Sequence, residues 1–107
     1  MSLVKISELG EAPGDGEGRA ILLKHPFTEI MYEIALFKAE GAYYAITNRC
    51  SKCGIGLDPK SLNGFFAKCR NDKCIWHVKK GYCKFDRTSV LPTYKVLTEE
   101  DGLYINI

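Results

Sequence analysis

The chain has 107 residues, 46% of them apolar, and a formal net charge of +2. This length fits one domain with one core, and the longest apolar runs are far too short to span a bilayer. No basic stripe with regularly interleaved aromatics supports nucleic acid as a partner. The opening M-S-L-V-K-I-S-E-L-G lacks the apolar run and cleavage site of a secretory signal. It points to the cytoplasm, where thiols stay reduced and clustered cysteines hold metal more often than they pair.

Residues 3–6 alternate apolar and polar and predict a first strand. Residues 10–18 combine Pro13 with several glycines and acids and predict a loop. A second strand is expected over residues 20–24 and a third over 30–38, where Ile30, Tyr32, Ile34 and Leu36 alternate. Glu40-Gly41 is a two-residue turn into a strand over residues 42–47. After the cysteine-rich window, residues 90–97 hold a strand interrupted by Pro92, which suits an edge or a strand start. Asp101-Gly102 signals a hairpin, and residues 103–107 close the chain as a last strand. No segment has a convincing helical period, so the expected class is all-β, a small sandwich or barrel with an inserted metal-binding subdomain.

All five cysteines fall within residues 49–86, in C-S-K-C (Cys50 to Cys53), Cys69, C-I-W-H (Cys74 to His77) and Cys83. Two short Cys-x-x-(Cys/His) motifs about twenty residues apart match a metal site built from two loops. Thiolates with one imidazole select zinc or iron–sulfur clusters. Cys50, Cys53, Cys74 and His77 are therefore the expected ligands, with Cys69 and Cys83 as alternatives or neighbours of the site. Trp76 reads as an apolar cover and His25 as a surface or turn residue. Charge is uneven along the chain. Residues 1–40 hold seven acids against four bases, and residues 68–87 seven bases against Asp72 and Asp86. The basic window is either a solvated rim that offsets metal-bound thiolates or a docking face for an acidic partner.

Nearly the whole chain resembles the Rieske ferredoxin family. G-E-A-P-G-D-G-E-G-R-A is similar to its N-terminal stretch, and E-I-A-L-F-K-A-E-G-A-Y-Y-A-I-T-N-R-C to its entry into the first cluster loop. C-S-K-C-G-I-G-L resembles C-P-H-x-G-x-x-L through Cys50, Gly54 and Leu57, and C-I-W-H resembles C-P-x-H through Cys74 and His77. F-D-R-T-S-V-L-P-T-Y-K-V and the last residues resemble its tail. The resemblance implies a single Rieske-like domain over residues 1–107, a β-sandwich with a metal-binding subdomain (49–86) of two hairpin loops. It also implies a 2Fe–2S cluster and one-electron transfer to a redox partner protein.

Lys52 stands where the first loop's histidine belongs, and Cys53 is its natural substitute. For the second loop, Cys69 as the family cysteine would put Asp72 in the histidine position, whereas Cys74 keeps His77 but lengthens the hairpin. The usual ligation by two cysteines and two histidines is therefore incomplete. The expected function is a small soluble electron carrier with a three-Cys, one-His 2Fe–2S cluster. The alternative is a zinc-stabilised interaction or subunit module. An independent enzyme is not expected, because no nucleophile–base pair, carboxylate pair or phosphate-binding Gly motif is present.

Overall fold

A computed structural model describes residues 3–107, so the first two residues of the expected 1–107 domain lie outside it. The N-terminal half holds β1 (Leu3–Ser7), a single 3-10 turn, β2 (Gly18–Lys24), β3 (Met31–Ala39) and β4 (Ala42–Thr47). Ile34, Ala35, Leu36 and Phe37 form a continuous apolar run on β3, and all four are buried. Such a run belongs to a strand covered on both faces. Successive side chains point to opposite sides of it. Ile34 and Leu36 enter one core with Ile6, Ala45, Leu103 and Ile105, while Ala35 and Phe37 enter another with Ile46, the cysteines and Trp76. The β3–β4 hairpin closes as expected through Glu40 (φ 50°) and Gly41 (φ 81°).

The sheet β2-β3-β4-β9 is thus the middle of three layers, where β9 is Thr93–Tyr94. On one side lies the sheet β1-β11-β10, with β10 spanning Val96–Glu99 and β11 Gly102–Asn106. On the other side lies β5-β6-β7-β8, formed by Phe66–Lys68, Ile75–His77, Tyr82–Cys83 and Asp86–Val90. All three are antiparallel.

Three local expectations change. Residues 90–97 are not one strand: Val90 ends β8, and β9 and β10 then join different sheets. The break falls at Leu91 and Pro92, where the Pro92 carbonyl accepts the Thr47 N–H at 2.9 Å. The last hairpin turns one residue early, at Glu100 and Asp101. Gly102 opens β11 because a Cβ there would run into the Ser7 carbonyl of β1. The cysteine window, expected as two hairpin loops, has its hairpins in a four-stranded sheet that β8 completes beyond residue 86, with strands too short to leave a legible period.

Candidate metal centre

Two loops meet at one end of the third sheet. The first leaves β4 and is pinned at its mouth by Asn48, whose Oδ1 accepts the Leu57 N–H at 2.8 Å. Inside it the Cys50 N–H donates to Ile55 (2.7 Å) and the Gly54 N–H to Cys50 (2.8 Å). Gly54 at φ 73° takes the left-handed angle that this tight knuckle needs. Arg49 braces it from outside, with two contacts to Glu33 (2.9 and 3.1 Å) and one to the Gly54 carbonyl (3.3 Å).

The second loop is the β5–β6 turn. The Cys69 N–H donates to the Cys74 carbonyl and the Asp72 N–H to the Cys69 carbonyl, both at 2.9 Å. Asp72 sits at φ 67°. Asn71 Oδ1 contacts Cys69 Sγ (2.7 Å) and accepts the Lys73 N–H (3.2 Å). The Arg70 N–H to Gly56 carbonyl bond (3.0 Å) ties one loop to the other.

This architecture brings together the sulfurs of Cys50, Cys53, Cys69 and Cys74, all within 4.8 Å of one another. Cys53 and Cys74 are 3.8 Å apart, and Cys53 and Cys69 4.0 Å. Of the expected ligands, Cys50, Cys53 and Cys74 converge and His77 does not join them. The reason is periodicity. C-I-W-H runs straight into strand β6 and is not a turn, so Cys74, just before the strand, and His77, an odd three residues on, face opposite sides. Cys74 and Trp76 point into the core; His77 points out, stacked between Phe65 (5.4 Å, 15°) and Tyr82 (4.9 Å, 27°). Its Nδ1 accepts the Lys80 N–H at 3.0 Å, and burial, then Lys80, Lys79 and Arg87, lower its pKa. Cys69, an alternative in the sequence, had its signal in the register that puts Asp72 in the histidine position.

The remaining candidates lie apart. Cys83 is buried on β7 opposite Trp76, outside the group of four. Lys52 turns away from the sulfurs to Asp86 on β8, at 2.9 Å. His25 is a turn residue as expected, though buried. Its Nδ1 accepts the Phe27 and Thr28 N–H groups at 3.1 and 3.2 Å.

The chain has two histidines and neither is in the group, so a two-Cys, two-His cluster does not fit these residues. Four thiols fit a tetrahedral ion. At metal–sulfur bonds of ~2.3 Å the sulfur–sulfur edge is about 3.8 Å, close to the Cys53–Cys74 and Cys53–Cys69 spacings. In a two-iron cluster, thiolates on opposite irons diverge and end beyond one tetrahedral edge. Burial pushes the Cys50 thiol up, but the N–H groups of Lys52 and Cys53, the Trp76 indole and the Cys74 thiol outweigh it, and its pKa falls below the usual value. Burial, then Cys50 and Cys53, push Cys74 up to about 12. Four thiolates this close can coexist only around a cation.

No family model and no curated protein match the sequence. Solved structures do. The Sphingomonas yanoikuyae B1 ferredoxin is 19% identical over 99% of both chains, with a TM-score of 0.79. A chain of the complex of reduced oxygenase and oxidised ferredoxin in carbazole 1,9a-dioxygenase is 18% identical over 96% of this chain and 91% of its own, with a TM-score of 0.72. The nitrite reductase [NAD(P)H] small subunit of Erwinia carotovora is 16% identical over 98% and 81%, with a TM-score of 0.70. The chain has the Rieske-like fold that its sequence resembles. Among the described residues no helix is long and apolar enough to cross a membrane.

Proposed function

We propose that this protein is a small electron-transfer component of Rieske-like fold whose centre is one iron ion held by Cys50, Cys53, Cys69 and Cys74. The observation that carries this is the convergence of four sulfurs within 4.8 Å. Iron in four thiolates supplies a one-electron couple, and the anionic ligands stabilise its oxidised form, giving a lower potential than a two-His centre. Cys50, Cys69 and Cys74 are buried, whereas Cys53 is partly exposed. Cys53 is thus the edge nearest a partner protein that gives or takes the electron. The ferredoxins with this fold support the carrier role over an independent enzyme.

Zinc is the second reading, favoured by the same closed four-sulfur shell, which leaves no open coordination position. The centre would then be structural and the domain an interaction or subunit module.

The test is metal and sulfide analysis of anaerobically prepared protein from iron-replete medium, with visible and electron paramagnetic resonance spectra. One iron per chain, no labile sulfide and a reversible colour change are expected. Zinc in colourless protein overturns the carrier reading. Two irons with two sulfides overturn the one-ion centre and restore the 2Fe–2S cluster of the family. For the ligands, Cys69→Ser should lose the metal and both Cys83→Ser and His77→Gln should keep it.

A further inference from the structure

The outer face of the third sheet carries an aromatic layer that the metal centre does not use. His77 is its middle, stacked between Phe65 and Tyr82 with Phe66 edge-on at 5.1 Å. Cations cover these rings: Lys79 lies 5.9 Å from the Phe65 centroid, Lys84 5.3 Å from Phe66 and Arg87 4.8 Å from Tyr82. Lys80 adds a fourth charge beside His77. None of the ion pairs among the described residues involves these four cations. The nearby carboxylate of Asp86 is taken by Lys52, Thr88 and Ser89.

We propose that this face is a docking surface for a carboxylate-rich protein partner. The inference rests on the carrier reading for the partner's role, but not on the metal's identity. Four cations without intramolecular counter-charges attract a negative surface from a distance and fix its register on contact. Seating them over rings limits their freedom before the partner arrives, which lowers the entropy lost on binding. The same seating argues against single-stranded nucleic acid, whose bases need open ring faces; here the cations and His77 occupy them. The face is also near the centre, because β6 begins directly after Cys74 and carries His77 three residues on.

The test uses metal-loaded protein, with whichever tetrahedral ion it carries, and fluorescence anisotropy of two labelled probes. One is poly-glutamate, the other an oligothymidylate of equal charge. Poly-glutamate is expected to bind and to weaken as salt rises. Lys84→Gln with Arg87→Gln should weaken it roughly tenfold, the sum of two surface ion pairs. Lys84→Arg with Arg87→Lys should preserve binding. Arg19→Gln with Lys24→Gln, which removes the same charge elsewhere, should leave it unchanged. Peptide binding indifferent to the Lys84 and Arg87 pair overturns the proposal. So does tighter binding of the oligonucleotide, or self-association that the Gln pair abolishes, which would make the occupant a second copy. Protein prepared from iron-replete medium that carries zinc and still binds the peptide at this face would sink the carrier reading alone.

Discussion

Trp76 is fully buried and lies two residues after Cys74 on the same side of β6. Its indole nitrogen is a buried polar atom with no hydrogen-bond partner. A buried unpaired donor is costly, and a native structure keeps one where a partner arrives later. The Cys50 sulfur is the candidate, because it is buried in the same core cluster as the indole. Once metal makes Cys50 a thiolate, the N–H has a charged acceptor, and a donor to a ligand sulfur both orients it and tunes the metal. Trp76→Phe keeps the ring and removes the donor. Cobalt titration of this variant should show affinity reduced about 10- to 100-fold and a shifted thiolate-to-metal absorption band. An unchanged band with unchanged affinity would leave Trp76 as packing alone.

Lys52 joins the first knuckle to strand β8. It occupies a ligand position of the family, yet its ammonium cannot bind metal, and Asp86 gives it another task. The Asp86 carboxylate accepts from Thr88 Oγ1 (2.6 Å), Lys52 (2.9 Å), the Thr88 N–H (3.1 Å) and Ser89 Oγ (3.1 Å). The Thr88 hydroxyl first, then Lys52, hold its pKa well below the carboxylate range. A depressed folded pKa adds stability that is present above the unfolded value of ~3.9 and lost as pH falls through the folded one. The denaturant midpoints of wild type and Asp86→Asn should therefore differ by a constant amount between about pH 5 and 8. The difference should then shrink as pH falls below about 4, and one that stays constant down to about pH 2 would mean an ordinary carboxyl. Both side chains are over a third exposed, so the effect is modest and shrinks in salt.

In the whole molecule, the outer sheets depend on different things. The β1-β11-β10 sheet packs on the middle layer through buried aliphatic side chains, with Tyr32, Tyr43 and Tyr94 packed against them. The β5–β8 sheet is built of strands of two to five residues, and cysteines supply part of the core beneath it. Such short strands hold little by themselves, and a metal held by the four cysteines would clamp their open end. Chelation should therefore remove amide-exchange protection from β5–β8 while β3, β10 and β11 keep theirs. Loss of protection throughout the molecule would show that the metal supports the fold as a unit.

The strands outside the cysteine window were legible because apolar alternation and Gly turns are local signals. The alternation of Ile30, Tyr32, Ile34 and Leu36 announced a strand, and Glu40-Gly41 a hairpin. The sequence by itself also determined that two histidine ligands could not both be present, since Lys52 removes one position. Its Cys-x-x-His spacing pointed to His77 as the fourth donor, with Cys69 as an alternative. The choice depends on whether C-I-W-H turns, bringing positions three apart together, or extends, pointing them to opposite faces. That depended on pairing β6 with β5 and β7, contacts made across loops and invisible in local spacing. Tertiary structure thus turned His77 into the centre of an aromatic face and brought the Cys69 sulfur to the other three.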